Sequence, residues 1–179
     1  MVDANVKIRG GAADETGWTD DGTNVRLTTS TDKVGLGTAS PVTPFDVFED
    51  PTGIQDNTGG GFVVTYGGGT LVAGKLYYLH TDGDWTVTDA DAEGTGADQA
   101  LGIALGTDSS AGVLVQGYFD ATTYLSNFSA GKAVYVDTAE ASMNTTAPSG
   151  AGDFVRVVGY CTDTANVIYF NPSQDWVEL

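Results

Sequence analysis

The chain has 179 residues, which is enough for one well-buried domain or for a small domain with an arm. Its 24 acidic and 7 basic residues give a net charge of −17, which argues against nucleic-acid binding because that depends on Lys and Arg neutralising phosphates. No stretch approaches the ~20 apolar residues of a membrane span, so we expect neither nucleic acid nor a membrane as a partner.

The first 50 residues alternate apolar and polar side chains over short stretches. This alternation predicts strands at residues 5–9, 25–27 and 34–36, followed by an apolar strand at residues 45–48. The stretches hold too few apolar side chains to bury a core alone, so they would gain most by pairing with other chains. We therefore predict an extended β-rich N-terminal arm, residues 1–50, and a Gly-rich linker, residues 51–61.

The remaining residues, 62–179, contain the same unit twice. Ala73-Gly74-Lys75 recurs as Ala130-Gly131-Lys132, and Leu101-Gly102 recurs as Val158-Gly159, both at an interval of 57 residues (130 − 73 and 158 − 101). Thr107-Asp108 then matches Thr162-Asp163 at an interval of 55, which places a two-residue deletion after the second glycine. A constant interval is better evidence than a single motif, because chance matches do not keep register.

The duplicated unit spans about residues 73–120 and 130–171, with the predicted order strand, turn, strand, acidic loop, strand, turn, strand. The 25 glycines and frequent Thr favour β-structure with tight turns, and no long window shows helical periodicity. The sequence therefore predicts an all-β protein. Its main domain is a β-sandwich or barrel built from the tandem unit and preceded by the arm.

The patterns that would indicate catalysis or metal binding are incomplete. Asp89, Asp91 and Glu93 resemble the start of a calcium loop, but Ala100 stands at the twelfth position, where a bidentate Glu is needed. A solvated acidic loop is the preferred interpretation. His80 is the only histidine, and neither a G-x-S-x-G elbow nor a phosphate loop is present. Paired carboxylates stay open, since 24 acids offer many pairs and none is singled out. We expect no cofactor, no metal and no enzyme activity.

Two regions resemble structural proteins of tailed bacteriophages. The first is similar to a "W…G…V.L…VGIGT..P…LDV" module of phage fibre proteins, with Leu36 where that module usually has Ile; it comprises Trp18, Gly22, Val25-Arg26-Leu27, Val34-Gly35-Leu36-Gly37-Thr38, Pro41 and Phe45-Asp46-Val47. The second is similar to a β-rich domain in structural proteins of marine and cyanobacterial phages; it comprises residues 101–105, 131–135 and 147–172.

The resemblance implies a virion protein that works as a homotrimer, either cementing capsomers or forming fibres. The leading hypothesis is a capsid decoration, or cement, protein. It would be made in the host cytoplasm and would bind the major capsid protein on the outer surface of the head. The contacts with other chains are expected from apolar side chains of the arm: Val6, Ile8, Trp18, Val25, Leu27, Val34 and Leu36.

The alternative hypothesis is a tail or head fibre module that binds a host-surface glycan. Aromatic faces stack on sugars, and the candidate stacking residues are Trp85, Tyr124 and Trp176. Core packing or a subunit contact is the competing interpretation for each of them, because aromatic residues are so often buried or interfacial.

Overall fold

The computed structural model describes residues 18–20, 25–27, 33–36, 38, 40–47 and 50–179, with only the backbone described at residues 18–20 and 25–27. The chain divides into two compact units, residues 1–50 and residues 51–179. The described part of the chain is all-β, as the sequence predicts, and holds no helix of seven residues or more.

The first unit contains two short ladders. β1 (Trp18–Asp20) pairs antiparallel with β2 (Val25–Leu27), and β3 (Val34–Leu36) pairs in parallel with β4 (Phe45–Val47). The strands predicted at residues 25–27 and 34–36 are thus confirmed, and so is the one predicted at residues 45–48 as far as Val47. The strand predicted at residues 5–9 lies outside the described residues.

The second unit is built on one large curled sheet, a half-barrel. Its strands in chain order are β5 (Gly59–Val64), β6 (Leu76–Leu79), β7 (Trp85–Val87), β8 (Leu101–Ala104), β9 (Val113–Asp120), β10 (Leu125–Ser126), β11 (Ala133–Val136), β12 (Met143–Asn144), β13 (Phe154–Cys161), β14 (Val167–Phe170) and β15 (Trp176–Glu178). β9 joins the two repeats, because it pairs with β8 at its start and with β14 at its end. β5 runs along β9, and β15 runs along the start of β13.

The strand pairing reproduces the sequence repeat. β6 lies between β7 and β8 with β9 beyond, and β11 lies between β12 and β13 with β14 beyond. Leu76 faces Ile103 in the first repeat, and their counterparts 57 residues later, Ala133 and Tyr160, face each other in the second. Ile103 also faces Leu114, whereas Tyr160 faces Tyr169, at an interval of 55 (169 − 114). The two-residue deletion therefore lies in the turn between the last two strands of the unit.

Counterpart residues also make the same backbone hydrogen bonds. Gly74 N donates to Ala104 O at 2.8 Å, and Gly131 N donates to Cys161 O at 3.0 Å. Equal register and equal bonding mean that counterpart side chains leave the same face of the repeat, because side chains alternate between the faces of a strand. The repeats can therefore be compared face by face.

The two repeats turn opposite faces to one shared core. We call face A the side that carries Leu76, Ile103 and Leu114 in the first repeat and Ala133, Tyr160 and Tyr169 in the second. The first set is fully buried in the main core, whereas none of the second set belongs to it. Face A is therefore an inner face in the first repeat and an outer face in the second.

Face B shows the reverse arrangement. It carries Tyr77, Ala104 and Val113 in the first repeat and Val134, Cys161 and Ile168 in the second. The second set lies in the main core, and the first set forms a separate satellite cluster with Leu71 and Trp85. The main core is thus face A of the first repeat packed against face B of the second, together with large side chains such as Phe119, Phe154 and Phe170.

The predicted linker, residues 51–61, is only partly a loop. Gly59, Gly60 and Gly61 belong to β5 and pair with β9. A Cβ on Gly59 would lie 2.3 Å from Tyr118 O, and one on Gly61 would lie 2.2 Å from Gln116 O. The last part of the prediction is wrong because two of these glycines allow close approach of two backbones, a role that composition cannot distinguish from flexibility.

Candidate assembly surfaces

The β3–β4 ladder of the arm exposes apolar side chains. Val34 faces Phe45 and Leu36 faces Val47 across the ladder. Phe45 is 63% exposed, Leu36 is 53% exposed, and Val42 in the connecting loop is 78% exposed. Parallel strands are normally buried, and two strands alone are too few for independent stability in water. An apolar surface on such a ladder is suited to contact with another protein.

The loop between β3 and β4 is fixed by its own hydrogen bonds. Lys33 Nζ donates to the carbonyl oxygens of Pro41 and Val42 at 3.1 and 3.0 Å, and Val42 N donates to Asp46 Oδ2 at 2.8 Å. A Cβ on Gly35 would lie 2.6 Å from Thr38 O. Gly35, Thr38 and Pro41 thus pack closely in a tight loop that presents Val42 and Phe45.

The predicted arm contacts are described to different extents. Val34 is half-buried and Leu36 is exposed. The backbones of Trp18 and Leu27 face each other in the β1–β2 ladder, which also contains Val25, but their side chains lie outside the described residues. Val6 and Ile8 lie wholly outside them. Contact of these residues with other chains stays a prediction.

A row of three tyrosines crosses the outer surface of the second repeat. Tyr160 of β13 faces Tyr169 of β14, which faces Tyr118 of β9. The rings of Tyr118 and Tyr169 are 5.3 Å apart, and Gln116 Nε2 donates to Tyr169 Oη at 2.8 Å. We call Tyr118, Tyr160 and Tyr169 the tyrosine face; it extends face A of the second repeat onto β9. The alternation of side chains along these strands predicts which residues share a face with each tyrosine, but it does not predict whether that face is buried or exposed.

Exposed apolar side chains also lie on β5, where Phe62 pairs with Gln116 beside the tyrosine face, and in the segment that follows β5. Phe62 of β5 is 71% exposed, and Tyr66 and Val72 are 53% and 45% exposed. The Tyr66 ring stacks on Trp85 with centroids 6.0 Å apart. Val72 N donates to Tyr77 Oη at 2.9 Å, so Tyr66 and Val72 each contact a member of the satellite cluster, and we call these two residues the cap.

The structure changes the assignment of the glycan candidates. Trp85 is 2% exposed, and its Nε1 donates to Tyr66 O at 2.8 Å, so the expectation that it is available to a sugar is wrong. Trp85 is covered by Tyr66 of the cap, and the sequence pattern of β7 alone does not predict this cover. Trp176 is half-buried against the main core. Tyr124 is half-buried, with Lys75 Nζ 6.0 Å from its ring centroid.

The acidic loop is arranged by its own backbone. Asp91 N donates to Asp89 Oδ1 at 3.0 Å, and a 3-10 turn follows at Glu93–Thr95. Desolvation raises the pKa of the Asp91 carboxyl, and the nearby carboxylates of Asp89, Asp153 and Asp137 raise it further. Within the described ranges, no group of three or more His, Cys, Asp or Glu side chains is arranged to hold a metal ion.

An open polar pocket of about 220 Å³ lies in the second repeat. Asp137, Asn144 and Asp153 line it together with residues 146–150. Asn144 Nδ2 donates to Asp137 Oδ2 at 3.2 Å, and Gly150 N donates to Asp153 Oδ2 at 2.7 Å. These carboxylates are engaged by their own loops, and the pocket is smaller than the roughly 300–1,000 Å³ typical of ligand sites.

Arg156 and Cys161 are buried, and their contacts indicate a role in stability. Arg156 is 5% exposed and donates to the carbonyl oxygens of Ser173, Gly96 and Gln99 at 2.8, 2.7 and 2.6 Å. Desolvation lowers the pKa of its guanidinium, an effect that Asp98 opposes. Cys161 is buried, and this burial raises the pKa of its thiol.

No family model matches this chain, and no match is found among curated proteins or solved structures. In the part of the chain that the structure describes, no helix is long and apolar enough to cross a membrane.

Proposed function

We propose that this protein is a non-enzymatic structural component of a tailed-phage virion. In this proposal it is a homotrimeric decoration protein that binds the major capsid protein and stabilises the outer surface of the head. The observation that carries the proposal is the exposed β3–β4 ladder, a short parallel pair whose apolar side chains have no place in water.

The contrast between the two units supports an anchor and a body. The second unit has a core shared by both repeats. The first unit offers Val42, Phe45 and Val47 at its surface, 78%, 63% and 48% exposed. Fully burying one such side chain stabilises a complex by roughly 1.5–3 kcal/mol, so a few of them suffice for a specific contact. We assign the capsid contact to the arm.

The phage resemblance and the loop geometry support the same assignment. The stretch that resembles the fibre-protein module includes Gly35, whose Cβ position Thr38 O occupies at 2.6 Å, and Asp46, whose carboxylate holds Val42. The residues that carry the resemblance therefore shape the loop that exposes Val42 and Phe45. Such a loop suits a module that docks repeatedly on one kind of surface.

A binding assay with phage heads that lack the protein tests the proposal. We expect Val42→Asp combined with Phe45→Asp to weaken binding at least tenfold, because tenfold corresponds to about 1.4 kcal/mol and two buried side chains contribute more. Ser40→Asp is the matched control, since it adds a carboxylate at an exposed position of the same loop. Equal binding of the double variant and the control would remove the arm as the anchor.

A further inference from the structure

We propose that the tyrosine face is an interface between copies of this chain, and that it packs head-to-tail on the cap side of the next copy. The inference rests on the proposed function for its trimeric state. It adds which surfaces meet and the kind of contact they make.

The internal packing of the chain provides the template for this contact. Within one chain, face A of the first repeat packs against face B of the second, so the two repeats associate through unlike faces. Such a contact is heterologous: it leaves one face A and one face B unused, at opposite ends of the pair. The unused face A is the one that carries Tyr160 and Tyr169.

The two faces outside the shared core differ in how far the chain covers them. Face B of the first repeat is covered by the chain itself, since Leu71 and Val64 pack on Tyr77 and Trp85 in the satellite cluster. Face A of the second repeat has no equivalent cover among the described residues, and Tyr160 is 53% exposed. The chain thus ends in a cap on one side and an open tyrosine row on the other.

The tyrosine face offers a second copy a surface without the repulsion that the rest of the chain would exert. A chain with net charge −17 repels its own kind, so copies meet most easily where carboxylates are absent. The tyrosine face contains no Asp or Glu, and neither do the positions beside it in the pairing, Ala133 opposite Tyr160 and Gly60 opposite Tyr118.

The matching surface on the next copy is its cap. Tyr66 and Val72 are about half exposed, at 53% and 45%, and they contact Trp85 and Tyr77 of the satellite cluster, respectively. If the tyrosine face of one copy packs on the cap of the next, face A of one chain again meets the face-B side of another, as in the contact between the two repeats. Heterologous contacts of this kind close into rings when the rotation allows, and a ring of three meets the trimer of the proposed function.

Site-directed cross-linking tests the inference on the full chain. The only native cysteine, Cys161, is 4% exposed with a raised thiol pKa, so introduced cysteines react selectively. The Tyr160→Cys and Tyr66→Cys variants are mixed, allowed to exchange subunits, and then treated with a short bismaleimide. We expect cross-linked dimers that contain one chain of each variant, and none from either variant alone.

Three results would overturn the inference. Cross-linking of Tyr160→Cys with itself would indicate a two-fold contact of like faces. No cross-link in a trimeric sample would place the interface elsewhere, and a wild type that is monomeric in sedimentation would remove the interface altogether. Ala139→Cys, in the exposed β11–β12 turn, is the matched control and should not cross-link to Tyr160→Cys. Capsid binding is measured separately, so failure of the proposed function is recognised independently.

Discussion

The two repeats of this protein have the same strand register and opposite exposure. Leu76, Ile103 and Leu114 of the first repeat are fully buried, whereas their counterparts in the second are Ala133, Tyr160 and Tyr169 on the outside. Where the first repeat has aliphatic core residues, the second has alanine and tyrosine, which are suited to contact with either water or another protein. One unit can thus present either face to a core, and the sequence at these positions records which face is used.

The two outer faces differ because the repeats pack through unlike faces. One face A and one face B therefore remain outside the shared core, and each needs its own cover or its own contact with solvent. At one end the chain covers face B with the segment that contains Leu71. At the other end it places large, amphipathic side chains on face A and leaves them open. This difference gives the protein one side that its own chain covers in part and one side that carries an open tyrosine row.

The largest stability effect is expected at Arg156, whose counterpart in the first repeat is Gln99 at the interval of 57 (156 − 99). Arg156→Ala removes the donor from one buried and two partly buried hydrogen bonds to carbonyl oxygens, an orphaned buried acceptor costs about 1–3 kcal/mol, and the loss of the buried side chain itself adds to this. We expect a loss of at least about 3 kcal/mol in urea unfolding. Arg156→Lys should fall between the wild type and Ala, because a single ammonium cannot reproduce the guanidinium fork. A loss below about 1 kcal/mol for Ala would contradict the account.

Truncation of a counterpart pair tests the face comparison directly. Ile103→Ala should lower the free energy of unfolding by about 2–5 kcal/mol, because it opens a cavity in the main core. Tyr160→Ala should lower it by less than about 1 kcal/mol in dilute samples, since the side chain is largely exposed there. Chemical denaturation of both variants measures the difference. Equal losses would mean that the repeats do not use opposite faces.

Salt should strengthen assembly. A trimer would carry −51 (3 × −17), and exposed like charges repel over about 30 Å at 0.01 M salt but only about 8 Å at 0.15 M. Sedimentation across this range should show trimers dissociating at low salt. Tighter association at low salt would mean that the charge serves attraction to a basic surface.

The smallest effect is expected in the turn that differs by two residues between the repeats. Asp108 accepts hydrogen bonds from Ser110 N and Ala111 N, whereas its counterpart Asp163 begins no such turn. Hydrogen bonds from Ser110 and Ala111 lower the pKa of Asp108. Its stabilising contribution is therefore present above the ordinary Asp pKa and is lost as pH falls through the lowered value.

Asp108→Asn should lower the Tm slightly at pH 7 and leave it unchanged at a pH below the lowered pKa of Asp108, whereas Asp163→Asn should have no effect at either pH. Scanning calorimetry at the two pH values measures both. An equal effect of the two substitutions at pH 7 would show that the turn at Asp108 is not specifically stabilised.

Much of the fold could be predicted from the sequence because local signals and register agree. The duplication gave not only the strands but also the deletion in the last turn, since both intervals recur in the pairing of Ile103 with Leu114 and of Tyr160 with Tyr169. The inner face could not be predicted. β6 reads Leu76-Tyr77-Tyr78-Leu79, so both of its faces are apolar and alternation cannot choose between them.

The assembly surfaces were predicted only in part for the same kind of reason. Leu36, a predicted arm contact, is exposed, whereas Trp85, for which glycan stacking and core packing are the two interpretations, is buried beneath Tyr66, nineteen residues earlier in the chain. Val42 and Phe45 are absent from the predicted contacts, because their exposure depends on the loop that Lys33 and Asp46 fix. Exposure is a tertiary property, and short-range patterns do not determine it.

Electron microscopy of phage particles that lack this protein tests the central claim most directly. The account predicts intact heads that have lost density from their outer surface, with three-fold features that return when purified wild type is added. It also predicts that the combined Val42→Asp and Phe45→Asp variant does not restore this density. Heads that keep their full surface density while the tail or a fibre loses density would contradict the account.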